Sequence, residues 1–132
     1  MAFTFRTDVT PDVDSIVAVF ESSGIHRPTS DRDRIQQMFA RADLVVTAWE
    51  DAMLVGLART LTDFCYCAYL SDLAVRREYQ HRGIGKRLIS LTQEKAGPQA
   101  TLILVASASA RDYYPRVGMV QTDRCFLHPR TR

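Results

Sequence analysis

Leu70-Ser71-Asp72-Leu73-Ala74-Val75-Arg76-Arg77-Glu78-Tyr79-Gln80-His81-Arg82-Gly83-Ile84-Gly85-Lys86-Arg87-Leu88 is the stretch on which the fold turns. It opens as the end of an apolar strand, from about Tyr66 to Val75, and crosses a charged loop with two glycines. It then enters an amphipathic helix marked by Ile84, Leu88, Leu91 and Lys95 with Ile89 beside them. Gly97-Pro98 ends that helix. A strand feeding through a glycine-bearing loop into a helix leaves the first helical amides unpaired and pointing outward, which suits a pyrophosphate. Gly83 and Gly85 lack a Cβ and let the backbone approach an anion, while Arg76, Arg77, Arg82, Lys86 and Arg87 add positive charge around the loop.

Upstream, Phe3 and Phe5 alternate with polar residues as a short edge strand would. Thr10-Pro11-Asp12 then supplies a cap, a first-turn proline and an early carboxylate for a helix that Gly24 stops. Val13, Ile16, Val17 and Phe20 form its buried stripe, and Ile35, Met38, Phe39 and Ala42 repeat the spacing in a second helix that Ser30 and Asp33 would cap. Leu44 to Trp49 and Met53 to Thr60, parted by Glu50-Asp51, predict an antiparallel hairpin. Downstream, Thr101 to Val105 reads as a strand, Ser109 to Val117 as a short helix, and Met119 to Leu127 as one or two closing strands. The order predicts one α/β domain over residues 1–132, with a mixed, mostly antiparallel sheet, about four helices and one parallel crossover.

Other phosphate-binding patterns fail at the loop. A dinucleotide fingerprint needs a third glycine where Leu88 stands, and a P-loop needs four residues between its glycines and then Lys-Ser or Lys-Thr. A tight turn with a solvated basic face is the plain alternative. Seventeen basic against 15 acidic residues leave a charge of +2, too small a bias to argue for a nucleic-acid partner. Three cysteines, an odd number, argue against a disulfide framework and for a reducing, cytoplasmic setting. Cys65 and Cys67 would share one strand face, and without a second ligand pair they make no case for a metal. No apolar run approaches a membrane span, and Met1 to Arg6 lacks a basic segment followed by an apolar one.

The order strand, Q-x-x-G-x-G, amphipathic helix, strand and Tyr-bearing short helix ending in Gly-Met resembles the GNAT superfamily of N-acetyltransferases. Leu70 through Leu88 is similar to its core motif and Tyr113-Tyr114-Pro115-Arg116-Val117-Gly118-Met119 to its C-terminal motif. Leu70 to Gly85 and Tyr113 to Gly118 are also similar to the plastid and bacterial arylalkylamine (serotonin-type) branch. The resemblance implies acetyl-CoA as co-substrate, no metal, and direct attack of a primary amine on the thioester. The acceptor would be a small molecule or a lysine or N-terminal amine, and dimerisation is a tendency of the family. It implies that the strand holding Leu73, Ala74 and Val75 splays from Thr101 to Val105, freeing backbone groups to pair with the pantetheine arm. A backbone amide near Leu73 to Val75 would stabilise the oxyanion. Gln80, His81, Arg82, Gly83, Ile84, Gly85 and Lys86 would hold the pyrophosphate, and Ser107 stands where many relatives have an Asn that reaches the pantetheine.

An alkylammonium of pKa about 10.4 must lose a proton before attack, and a thiolate leaving group of pKa about 8.5 gains from a proton donor. The resemblance places Tyr114, four residues before Gly118, as the general acid, with Tyr113 as its understudy, and Asp72 is the nearest candidate base. Packing side chains are the plain reading of the tyrosines and a structural hydrogen bond that of Asp72. His26 and Trp49 are candidates for an acceptor pocket, against a solvated loop and a core position. The chain departs from the family pattern at Pro115, where a charged residue is usual, and at His81, Arg77, Ser107 and Met119. Those at Pro115 and Ser107 motivate the competing reading of a non-catalytic acetyl-CoA-binding regulatory module. Nucleic-acid binding through Arg76 to Arg87 would require an affinity that falls steeply with salt.

Overall fold

The computed structural model describes residues 2–132. Its elements are β1 (Thr4–Arg6), α1 (Val13–Ser23), α2 (Arg32–Ala40), β2 (Leu44–Glu50), β3 (Met53–Thr62), β4 (Cys67–Val75), α3 (Ile84–Ala96), β5 (Thr101–Ile103) and α4 (Tyr113–Arg116). Single 3-10 turns lie at Arg77–Tyr79 and Ala108–Ala110. Strands β1 to β4 pair antiparallel in chain order, and β5 joins β4 in parallel across α3. This is the mixed α/β sheet with one parallel crossover that the sequence predicts.

The alternation of the strands sorts the apolar residues into two layers. Leu44, Val46, Ala48, Val55, Ala58 and Leu70 face α3 and bury its Ile84, Leu88 and Ile89. Val45, Leu54, Leu57 and Ala74 face the other way and bury Ile16, Val17, Val19 and Phe20 of α1 with Ile35 and Phe39 of α2. Each such large side chain stabilises the fold by about 1.5–3 kcal/mol through lost contact with water. Phe20 is wholly buried, its ring centroid 6.0 Å from that of Phe39.

Several element boundaries differ from the sequence reading. Helix α1 is capped by Asp12, whose carboxylate accepts from the Ser15 amide at 2.8 Å, so Thr10 and Pro11 lie before the helix. Asp31, not Ser30, caps α2 by accepting from the Arg34 amide at 3.1 Å. In both cases the carboxylate stands at the capping position, where its oxygen meets the third amide along. Strand β4 starts at Cys67, because the Asp63 carboxylate gathers the amides of Cys65, Tyr66 and Cys67 into a turn. Cys65 is therefore outside the strand, and both cysteines are exposed rather than packed on one face. The expected helix over Ser109 to Val117 is a 3-10 turn followed by the four residues of α4. Met119 to Leu127 forms no strand: Val120, Phe126 and Leu127 are exposed at 93%, 89% and 68%, beyond the last pairing of β5.

Two irregularities of β4 matter for function. It pairs with β5 only through Cys67, Ala68 and Tyr69, opposite Thr101, Leu102 and Ile103, so Leu70 to Val75 continue with no strand on that side. On its other side Arg59 stands opposite Asp72 and Thr60 opposite Leu70, which makes Ser71 the extra residue of a bulge.

Candidate active site

Helix α3 begins without a cap. Gly83 occupies the capping position at φ 82°, no side chain bonds to the first turn, and the first intrahelical bond runs from the Arg87 amide to the Gly83 carbonyl at 3.1 Å. The amides of Ile84, Gly85 and Lys86 are left as outward donors at the positive end of the helix. Nothing lies within 4 Å of where a Gly83 side chain would start, so the capping position itself opens onto free space. His81 also takes a left-handed conformation, at φ 65°. That costs a non-glycine residue about 1–2 kcal/mol.

The loop is held from behind. Gln80 donates from Nε2 to the Val75 carbonyl at 2.9 Å, so its amide ties the loop to the end of β4. The Tyr79 hydroxyl donates to Glu50 at 2.6 Å, and the Arg82 guanidinium lies over the Tyr79 ring, 5.2 Å from its centroid. Arg76 turns inward and donates to the Leu54 carbonyl at 2.7 Å, while Arg77, Arg82, Lys86 and Arg87 stay exposed as a cationic rim. Open space, unpaired amides and this rim fit a diphosphate.

Past the bulge at Ser71, alternation puts Leu73 and Val75 on one side of β4. The Ser71 carbonyl accepts from Arg27 Nη2 at 2.7 Å and the Val75 carbonyl from Gln80. Leu73 lies between these two satisfied positions with no strand opposite it on the open edge. Ala74 is buried, and Leu73 and Val75 are half-buried.

Asp72 is fully buried, and its two carboxylate oxygens accept from different arginines, Oδ1 from Arg27 Nε and Oδ2 from Arg59 Nε. Arg59 also donates to Ser71 Oγ at 3.0 Å and lies over the Phe39 ring, 5.7 Å from its centroid. Arg27 donates from Nη1 to the His26 carbonyl at 2.7 Å. Sequence reasoning missed both arginines, which stand 45 and 13 residues from their carboxylate and belong to no local pattern.

Tyr113 Oη lies 2.9 Å from where a Cβ on Gly85 would stand, so this phenol rests against the first turn of α3 and a side chain on Gly85 would displace it. The rings of Tyr113 and Tyr114 meet edge to face, with centroids 5.3 Å apart. Burial pushes the Tyr114 phenol above its ordinary value and Tyr113 adds to the shift, while the nearby Arg27 charge opposes it. Burial also raises Tyr113. Pro115 falls within the first turn of α4, where no backbone donor is needed, so Tyr114 remains helical ahead of it. Ser107 is exposed after β5, with its hydroxyl 3.4 Å from that of Ser109. His26 is exposed beside Arg27, whereas Trp49 is half-buried on β2 and donates to Thr47 Oγ1 at 2.8 Å, facing β1 rather than this site.

Residues 15–128 match the profile of the acetyltransferase (GNAT) domain. The chain belongs to the GNAT acetyltransferase family. The solved structures it resembles include a probable acetyltransferase of meticillin-resistant Staphylococcus aureus, at TM-score 0.84 and 18% identity over 98% of this chain and 99% of that one. An aminoglycoside acetyltransferase from an uncultured soil metagenomic sample, in complex with sisomicin, aligns at TM-score 0.70 and 19% identity over 98% and 96%. The PaiA N-acetyltransferase of Thermoplasma acidophilum, in complex with coenzyme A, aligns at 0.67 and 18% over 88% of each chain. At these identities the likeness is one of fold. No curated protein matches the sequence. This GNAT enzyme is an acyltransferase by family, and its candidate site combines an uncapped helix start, an unpartnered strand edge and a half-buried phenol. Among the described residues no helix is long and apolar enough to cross a membrane, and no three His, Cys, Asp or Glu residues cluster as metal ligands would.

Proposed function

We propose that the enzyme transfers the acetyl group of acetyl-CoA to a primary amine by direct attack within a ternary complex. The observation that carries this reading is the uncapped start of α3 set directly after the stretch of β4 that has lost its parallel partner. The diphosphate would lie on the amides of Ile84, Gly85 and Lys86, with His81, Arg82 and Gly83 shaping the loop and Gln80 fixing it to Val75. The pantetheine arm would run along Leu73, Ala74 and Val75 as an added strand, with Ser107 at its flank. A backbone amide from this edge would meet the developing oxyanion. Holding amine and thioester together replaces a bimolecular step by an intramolecular one, and no acyl-enzyme is needed.

Tyr114 is the proposed proton donor to the departing thiolate. A phenol of ordinary value 10.0 is protonated at neutral pH, and burial raises Tyr114 further. Tyr113 would close over the α3 turn. Asp72, proposed from the sequence as base, has both oxygens engaged by guanidinium groups, which supports a positioning role: it holds Arg27 and Arg59 against Ser71. The amine would then lose its proton to water. The likeness of Leu70–Gly85 and Tyr113–Gly118 to the arylalkylamine branch makes phenethylamine one reference amine of the panel.

Calorimetric titration with acetyl-CoA, followed by thiol release with a panel of amines, tests the reading. Saturable binding at one site per chain and amine-dependent release of coenzyme A are expected. Binding without release from any amine would remove the transfer step.

A further inference from the structure

We infer that the acceptor amine carries a carboxylate a few bonds from its nitrogen, and that Arg27 binds that carboxylate. The inference rests on the acetyl-transfer reading and deepens it by naming the class of acceptor. Beside the open edge of β4, two guanidinium groups share one carboxylate, so Arg27, Arg59 and Asp72 together hold one positive charge in excess. Asp72 is fully buried and the side chain of Arg59 is 9% exposed, so neither offers a face to a ligand. Arg27 does: its side chain is 24% exposed.

Donor counting shows what that face can take. A guanidinium carries five N–H groups. Arg27 directs one from Nε to Asp72, one from Nη1 to the His26 carbonyl and one from Nη2 to the Ser71 carbonyl. One N–H on each terminal nitrogen is left without a protein acceptor among the described residues. Such a pair suits the two oxygens of a carboxylate, and three fixed bonds hold the fork before the ligand arrives. An incoming anion would also offset the excess charge, whose partial removal from water is otherwise unfavourable.

Placement limits the chain length of the acceptor. Arg27 is tied to Ser71, and the nearest open edge position on the way to the proposed oxyanion site is Leu73. Two residues of strand span about 7 Å. So short a separation suits an α- or β-amino acid better than a long ω-amino acid. Polyamines and aminoglycosides, which bring several positive charges to a site already cationic, are disfavoured.

The test compares matched acceptors in the intact enzyme: phenylalanine, its carboxamide and phenethylamine, then methionine and its carboxamide. Each kcat/KM comes from thiol release and is compared at equal concentration of free amine, since the carboxamides have the lower amine pKa. Loss of one charge-assisted contact predicts a preference for the carboxylate form of about tenfold to a hundredfold. In Arg27→Gln the ratio should fall toward one, and Arg27→Lys should keep an intermediate ratio, with a thermal melt confirming that each variant folds. The wild-type ratio needs no variant and stands if either fails to fold. Equal or better use of the carboxamide and phenethylamine by the wild type would overturn the inference while leaving acetyl transfer intact. A ratio unchanged in a folded Arg27→Gln protein would overturn the role of Arg27. Absence of thiol release with every amine, acetyl-CoA still binding, would overturn both readings.

Discussion

Replacing Asp72 by Asn separates two roles that the sequence alone leaves joined. If the carboxylate is a scaffold, its loss strands two guanidinium groups, of which Arg59 has a side chain only 9% exposed and Arg27 one of 24%. Removing one partner of a buried ion pair costs about 3–5 kcal/mol, because the other charge stays desolvated. Asparagine keeps the shape and one acceptor oxygen, and Arg27 can reach water, so the lower end, about 3 kcal/mol, is the expected loss. For a domain of this size each kcal/mol moves the midpoint by roughly 3–5 °C, so the melting temperature should fall by about 10–15 °C. Differential scanning calorimetry measures this directly, with thiol release assayed well below the new midpoint. Should the melting temperature hold while kcat falls by orders of magnitude, the scaffold argument is refuted and Asp72 acts on the amine as a base.

Three further outcomes are expected. Tyr114→Phe should lower kcat by about a hundredfold or more with little change in acetyl-CoA affinity, since the hydroxyl acts as the thiolate leaves. Burial raises that phenol above its ordinary 10.0, so the proton is retained as pH rises, and any alkaline limb due to this donor lies above 10.0 and vanishes in the variant. An equal rate in the variant moves the role elsewhere. Gly83 sits at φ 82° with nothing near its Cβ position, so Gly83→Ala should cost about 1–2 kcal/mol through backbone strain alone. Gly83→Glu should in addition abolish acetyl-CoA binding in a calorimetric titration, and retained affinity would contradict the cradle. Asp63 is held at about 2, below its ordinary 3.8, by the amides of Cys65, Cys67 and Tyr66. Its stabilisation is present above 3.8 and lost as pH falls toward 2, so Asp63→Asn should flatten that part of the acid melting curve, and an unchanged slope would remove the assignment.

What the sequence discloses and what it hides follow from the range of the forces involved. The stripes Ile16-Val17-Phe20 and Ile84-Leu88-Ile89 are local periodicities set by one helix facing one sheet, and both are legible in the residue order itself. The loop from Gln80 to Gly85 is legible for the same reason, since a helix start and its glycines are adjacent in the chain. The caps fall one or two residues from where the sequence puts them because Thr10, Asp12, Ser30 and Asp31 are all competent, and only geometry decides which oxygen reaches the third amide. The closing strands expected at Met119 to Leu127 fail because β-propensity needs a partner edge, and β5 offers only three residues. The Arg27–Asp72–Arg59 group was out of reach altogether: it joins the loop after α1, β3 and β4, and the bulge at Ser71 that receives it exists only once the strands are paired.

That bulge also bears on why a ligand would bind where it does. A strand edge without a partner exposes donors and acceptors that a second strand, side chains, water or a ligand must satisfy. Along Leu70 to Val75 the protein satisfies the carbonyls at the two ends, Ser71 through Arg27 and Val75 through Gln80, and leaves Leu73 between them without a neighbouring strand. The residues from Arg76 to Gly83 then carry the chain to α3, whose first amides are unpaired as well. Two sets of unmet hydrogen-bonding groups, one along a strand and one at a helix start, thus lie in succession on the same path. A ligand that meets both needs amide groups spaced like a peptide and joined to a diphosphate, which is the order of groups in the pantetheine arm of acetyl-CoA. Gln80 is therefore the joint between the two, because the bond that turns its side chain back onto Val75 holds the loop beside the open edge. Loss of that amide in Gln80→Ala should weaken acetyl-CoA binding in a calorimetric titration although Gln80 itself faces the protein.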